Sequence, residues 1–367
     1  MPRSLKVAPE QLPKVHLAIQ RKGYPSQKQF AADVIPSLST VKKFLKGDAI
    51  DYENFRELCD KLDLDWQEVV CTAANNTAPA LPHPVLPHIK LEGELAPFNP
   101  SYPVAYPAGF FGRSRELHRC FGLLKSRPLQ NIAIIGAKKS GKTSLLKHLA
   151  QITVTPSEQL RSDQKSDWLP NPTQYRWIFV DLQDPRLGNR EGLLKHLLKA
   201  IGQTIDTCDL EQFMDLMSTH LQQPTVVLLD EIDAVLRRNS DLDDQFWESL
   251  RSLASHHSGG HLAFVLTSRE HPTQLAAHTG HSSPFFNIFG YTTILGALAE
   301  TDARTMVHSS PLPFAPAEID WIITQSECWP FFLQLLCQCR LEALQNPELA
   351  DTWQQEGLEQ LDFYRQK

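Results

Sequence analysis

The chain has 367 residues, 42% of them hydrophobic, enough to bury a large core in two or three domains. No apolar run is long enough to span a bilayer, which excludes a transmembrane helix, and a net charge of −6 excludes a uniformly basic nucleic-acid coat. Residues 1–7 carry basic side chains with no apolar stretch behind them, so no signal peptide is expected, and seven dispersed cysteines without a CxxC fit a reducing cytoplasm.

Residues 1–70 read as a domain of short helices. Residues 26–34 form a short amphipathic helix capped by Ser26, and residues 37–47 form a second. Val41, Phe44 and Leu45 fall on one face of that second helix and point to a core. Ser39, Thr40, Lys42, Lys43 and Lys46 fall on the other, where a DNA reader presents side chains to phosphates and base edges. Charge divides the domain. Residues 1–46 carry nine Lys or Arg against two acids, whereas residues 47–70 carry two against eight. The outward face has no Arg, Asn or Gln, the types that make the best bidentate base contacts. Non-specific contact with double-stranded DNA is therefore the expectation, and contact with a partner protein is the alternative.

Residues 71–108 contain prolines at 79, 82, 84, 87, 97, 100, 103 and 107 and read as a linker. Over residues 109–298 four apolar, β-rich runs (131–135, 176–180, 225–229 and 262–266) alternate with helices predicted over 190–201, 210–221 and 243–254. Continuous apolar strands alternating with helices imply an α/β fold, a parallel sheet covered on both faces. A fifth run at 291–295 adds an edge strand. Helices near 301–309, 316–325 and 330–344 make residues 299–367 a helical lid with a C-terminal tail.

The first strand leads into Gly136-Ala-Lys-Lys-Ser-Gly141-Lys142-Thr143 and then into a helix. This is G-x-x-x-x-G-K-T in the strand–loop–helix setting that a phosphate loop needs. Glycines let the loop aim backbone N–H groups at phosphate oxygens, and the helix N-terminus adds positive potential. Gly136, Ser140, Gly141, Lys142, Thr143 and Ser144 are the expected ATP cradle. Lys142 reaches the β- and γ-phosphates, and the Thr143 hydroxyl ligates Mg2+. Asp230 and Glu231 end the third run, Thr225-Val-Val-Leu-Leu. Asp230 is expected to share the Mg2+ and Glu231 to activate the attacking water. Asp233 is read as a local cap. Arg269, at the end of the fourth run, supplies a permanently charged donor that would sense the γ-phosphate. Arg237 and Arg238 are candidates for fingers toward a neighbouring subunit. The histidines from 256 to 281 lack ligand spacing and are rejected as a metal site.

These motifs, with Phe110-Phe111-Gly112-Arg113-Ser-Arg-Glu116-Leu117, resemble the AAA+/STAND P-loop ATPases, including the NB-ARC and origin-recognition-like branches, over residues 110–344. In those families an F-x-G-R-x-x-E-L segment helps frame the nucleotide base, which implies that role for Arg113. Thr267-Ser268-Arg269 resembles the T-[TS]-R sensor, and Trp329-Pro330-Phe331-Phe332-Leu333 resembles the G-x-P-x-x-L lid segment whose proline touches adenine. Cys328 stands where that lid segment usually has glycine. No M-H-D-like motif is present. Residues 1–70 resemble the helix-turn-helix-like module of cyanobacterial AAA-like proteins through Asp51-Tyr52-Glu-Asn-Phe55 and Leu64-Asp65-Trp66-Gln67. Glu92-Gly93-Glu-Leu-Ala-Pro97 resembles the opening of their AAA-like domain. Ile35-Pro36 stands where that module usually turns on a glycine of positive φ, so the turn is expected to be rebuilt. Such proteins often end in WD or TPR repeats, which do not occur up to Lys367, so the expectation is that a repeat sensor is either missing or supplied by another protein.

The resulting expectation is an ATP-hydrolysing cytoplasmic regulator that switches or self-associates with nucleotide and acts on DNA or on a partner. A DNA-remodelling or loading ATPase of the origin-recognition kind, and a signalling scaffold that uses residues 1–70 for protein contact, are the alternatives.

Overall fold

The computed structural model describes residues 4–8, 11–22, 24, 27–34, 37–62, 64, 69, 97–238 and 241–365. The chain divides into two compact units, Met1–Leu81 and Pro82–Lys367. The Ile35-Pro36 turn, residues 65–67 and the Glu92-to-Ala96 segment lie outside the described residues. Among the described residues no helix is long and apolar enough to cross a membrane.

The first unit holds the helices Leu12–Arg21, Gln27–Ala32, Leu38–Lys46 and Tyr52–Lys61. To these the structure adds an antiparallel ladder of β1 (Ser4–Leu5) with β2 (Ile50–Asp51). The helix Leu38–Lys46 has clear boundaries. The Ser37 hydroxyl accepts from Thr40 N at 3.3 Å and caps its start. Gly47, at φ 79°, ends it in the left-handed conformation that costs glycine little. Val41, Phe44 and Leu45 are buried as the apolar spacing requires, with Phe44 edge-on to Phe55 at 5.3 Å.

In the second unit the sheet runs in the order β4-β5-β6-β3-β7, where β3 is Ile132–Gly136, β4 Arg176–Asp181, β5 Thr225–Asp230, β6 Leu262–Ser268 and β7 Tyr291–Leu295. Every pairing is parallel. All residues of β5 and β6 are buried, which accounts for their unbroken apolar sequence. Alternate residues feed two cores. Val226 and Leu228 pack with Leu145, Leu146 and Leu149 of the helix Lys142–Gln151. Val227 and Leu229 pack with Leu193, Leu197, Phe213 and Trp247 on the opposite face. The order interposes β6 between β3 and β5, so its C-terminal end lies between the two strands that carry the glycine loop and the acidic pair.

A third core joins the helices Glu300–His308, Pro316–Ser326, Pro330–Gln345 and Trp353–Arg365 through Val307, Ile322, Leu333, Leu336 and Leu361. Two readings of the sequence shift here. The residues taken as a tail form the helix Trp353–Arg365, hidden in sequence by Pro347 upstream and by Gly357 in its interior. That glycine is a close-approach site, because a Cβ there would meet Leu336 at 2.8 Å. The end of the proline-rich stretch is also no tether. Phe98 is buried in the lid core against Phe314, so the folded unit reaches back at least to that residue. Proline density excludes helix but does not distinguish a free linker from an extended strap with buried side chains.

Candidate nucleotide-binding site

Two glycines shape the loop after β3. A Cβ on Gly136 would come within 2.9 Å of Leu295 O and 2.5 Å of Ser140 Oγ, so only glycine fits there. Gly141 has open space around it but a φ of 92°, so conformation sets its identity. It is followed by the helix Lys142–Gln151, whose first residue is buried. Lys142 Nζ donates to Gly136 O at 3.1 Å and to Ala137 O at 3.2 Å. Burial holds its pKa below the usual lysine value, against the opposing pull of Glu231 and Asp230. Ser140 is fully buried and its Oγ has no hydrogen-bond partner.

The acidic pair lies across from this loop. Glu231 Oε1 is 4.0 Å from Lys142 Nζ. Glu231 takes a left-handed φ of 55°, and its buried Oε2 has no partner. Burial raises the Glu231 pKa, partly countered by Lys142. Asp230 is buried, and burial raises its pKa against hydrogen bonds from the Thr267 and Thr143 hydroxyls. Thr267 is a junction. Its Oγ1 donates to Asp230 Oδ1 at 2.7 Å and accepts from Glu231 N at 2.8 Å. The position of β6 makes this possible, since the hydroxyl at its end reaches the acids of the neighbouring strand.

The rest of the Thr-Ser-Arg run is arranged differently. Ser268 Oγ donates to Glu270 O at 2.6 Å. Arg269 is exposed and is not among the residues that line the cleft; its backbone N donates to Asp233 Oδ2 at 3.1 Å. The Arg269 charge nonetheless reaches the site, where it pulls down the pKa of both Lys142 and Glu231. Asp233 is buried and bonded to a residue 36 positions away, and the short helix Asp233–Leu236 has no side-chain cap, so the local cap expected from sequence is not seen. Arg237 and Arg238 are also exposed, and Arg237 pairs with Glu270 at 2.7 Å.

A cleft of 280 Å³ lies between loop and lid, lined by Arg113, Lys139–Ser144, Glu231, Leu298, Pro330 and Phe331 among others. Arg113 is buried at φ 63° and donates to Ala297 O at 3.3 Å, to Ser140 O at 3.4 Å and to Gly296 O. It braces the glycine loop against the turn after β7. Pro330 opens the lid helix Pro330–Gln345 at the cleft wall. Cys328 adopts φ 58°, so the chain keeps the conformation that glycine would supply freely. The sequence reading missed the strap over residues 99–104, which lines the same cleft. Val104 N donates to Ser144 Oγ at 3.1 Å, and Asn99 N donates to Gln334 Oε1 at 2.8 Å, so the strap joins the loop helix to the lid helix. Its one signal in sequence is the set of apolar residues, Phe98, Tyr102 and Val104, among the prolines.

In the first unit, Ser39, Lys42, Lys43 and Lys46 are exposed on one helix. Thr40 is half-buried, with its hydroxyl 3.0 Å from Ser37 Oγ, and belongs to the helix cap more than to the exposed face.

Residues 127–273 match the family model described as an AAA domain. No curated protein matches the chain. Among solved structures, the Walker-type ATPase of Pyrococcus abyssi is 15% identical, aligning over 72% of this chain and 79% of its own with a TM-score of 0.50. The ORC2 protein of Aeropyrum pernix, solved in ADPNP–ADP complexes, is 14% identical over 66% of each chain with a TM-score of 0.47. The RuvB Holliday junction branch migration motor of Thermotoga maritima is 13% identical over 69% of this chain and 72% of its own, with a TM-score of 0.42. At such identities likeness concerns the fold alone, and only the first of the three has a score that carries weight.

Proposed function

We propose that this chain is a P-loop ATPase of the AAA type, a reading supported by the family match over residues 127–273 and by the parallel sheet, and that it binds ATP in the cleft and hydrolyses it to drive a switch acting on DNA or on a partner protein. The observation that carries this reading is the meeting of Lys142 and Glu231 at 4.0 Å beside two buried polar atoms without partners, Glu231 Oε2 and Ser140 Oγ. An unpaired buried polar atom costs about 1–3 kcal/mol, which a ligand entering the cleft would recover. The loop from Gly136 through Ser140 and Gly141 cradles the phosphates at the start of the helix Lys142–Gln151, with Ser144 at the same helix end. Lys142 exchanges its loop carbonyls for phosphate oxygens. Arg113 and Pro330 frame the base side. Glu231, made more basic by burial, accepts the proton of the attacking water.

The donor set fits Mg2+. Thr143 and Asp230 are hydrogen-bonded to each other, so a hydroxyl and a carboxylate, both hard oxygen donors, meet at one point. Among the described residues no cluster of three or more His, Cys, Asp or Glu side chains forms a cage. That suits a cation held largely by phosphate and water. When bound, Mg2+ supplies charge neutralisation to the phosphates. Thr267 fixes the two acids relative to each other. Arg269, whose charge acts on both Lys142 and Glu231, is the candidate sensor of the γ-phosphate. Self-association with nucleotide and a separate sensor protein belong to the same switch reading.

Duplex DNA is favoured as the partner by the exposed lysines of the helix Leu38–Lys46. The test is steady-state ATP hydrolysis and ATP binding by wild type, Lys142→Ala and Glu231→Gln, each with and without duplex DNA. Lys142→Ala should lose ATP binding. Glu231→Gln should still bind while turnover falls by roughly 10²-fold or more. Undiminished affinity in Lys142→Ala would sink the site assignment. Turnover indifferent to DNA would move the first unit to protein contact.

A further inference from the structure

One lysine of the glycine loop lines the cleft and also reaches the lid. Lys139 has φ 68°, in the left-handed region that L side chains rarely adopt, at a position where glycine would sit without strain. Its side chain therefore has to offset a conformational cost. Its ammonium lies 3.7 Å from the ring centroid of Phe331 and 3.2 Å from that of Tyr364, and these two rings meet edge-on at 4.8 Å. Phe331 belongs to the first turn of the lid helix and lines the cleft, whereas Tyr364 belongs to the last turn of the helix Trp353–Arg365. A cation held between two aromatic faces is bound electrostatically by both.

The neighbouring residue grips the other end of the lid turn. Arg365 donates to Glu327 Oε1 at 2.8 Å and to Gln325 O at 2.9 Å. Glu327 and Cys328 both have positive φ, so this turn between the helices Pro316–Ser326 and Pro330–Gln345 is a second site of backbone strain. The same two consecutive residues thus hold the phosphate loop on one side and the strained hinge on the other.

We propose that Tyr364 and Arg365, with Phe331, form a latch that fastens the lid to the phosphate loop through Lys139 and gates release of the bound nucleotide. The proposal rests on the reading of the cleft as a nucleotide site. Pro330 and Phe331 form one wall of that cleft, and withdrawal of this wall draws the Phe331 ring off the ammonium. Lys139 and Tyr364 are positioning residues, acting through the lid and not on the phosphates.

The test is stopped-flow release of a fluorescent N-methylanthraniloyl-ADP, with Mg2+, from the full chain. Lys139→Gly relieves the backbone strain and keeps the loop foldable, and Tyr364→Leu keeps an apolar side chain in place. Both residues are half-buried, so each variant should speed release by roughly three- to tenfold, between the exposed and the desolvated scale of a cation–π contact. The double variant should be no faster than Lys139→Gly alone, because Tyr364→Leu removes one of the two ring contacts that Lys139→Gly removes together. Tyr364→Phe should release at the wild-type rate. Wild-type release by Lys139→Gly, or effects that multiply in the double variant, would overturn the latch and leave the site standing. A wild type that takes up no labelled ADP would overturn the site reading and the latch together.

Discussion

His148 lies beneath Phe110, with ring centroids 4.1 Å apart, on the buried side of the loop helix. Burial, and after it the charge of Arg161, pushes its pKa down from 6.5 to about 3. In the unfolded chain the imidazole titrates near its ordinary value, so acid protonates the unfolded state first. Its contribution is complete above about pH 6.5 and is lost as the pH falls toward 3. At pH 5 the loss amounts to about 2 kcal/mol. His148→Phe retains a stacked ring without the titration. In urea unfolding at pH 7 and pH 5 its stability should fall by about 2 kcal/mol less than that of wild type. Equal losses in the two proteins would show that His148 is not the group responsible. The same burial that makes this residue pH-sensitive was invisible in sequence, where His148 is one of six polar residues in the ten-residue helix Lys142–Gln151.

Among the elements, the loop and acid strands were legible because their geometry is local. A glycine required for close approach, a buried apolar strand and two terminal carboxylates are each written in consecutive residues, and the structure brings them together across the inserted β6. Thr267 was visible as a hydroxyl, but its place between Asp230 and Glu231 follows from strand order, which consecutive residues do not encode. The helix Leu38–Lys46 is similar. Its cap and apolar face were readable, and the burial of Val41, Phe44 and Leu45 leaves the lysines outward. If these lysines meet phosphates, Lys42→Ala/Lys43→Ala should weaken duplex binding equally across sequences. It should also reduce the slope of log K against log salt by up to roughly 1.8, about 0.9 per lost phosphate contact. An unchanged slope would assign this helix to a protein partner. The strap over residues 99–104 was not legible, because its function depends on hydrogen bonds to Ser144 and Gln334, distant in sequence.

For the molecule as a whole, the two compact units predict separable unfolding. A ligand that binds only the native second unit stabilises it by mass action, about 2.7 kcal/mol at a hundredfold excess over Kd. Calorimetry with and without ATP and Mg2+ should therefore show one transition moving upward and the other staying in place. A coordinated shift of both would mean that the units unfold together.

The sequence by itself determined the parallel α/β core, the glycine loop after β3, the acidic pair at the end of β5 and the helix Leu38–Lys46 of the first unit. Those features rest on backbone geometry and on burial patterns that repeat every two or three to four residues. Only the tertiary structure decided that Thr267 joins the two acids, that Arg269 lies outside the cleft, that a proline-rich strap forms one wall, and that a C-terminal helix holds Lys139. Each of these depends on contacts between residues far apart in the chain. Their partners are selected by strand order and helix packing, which local residue patterns do not specify.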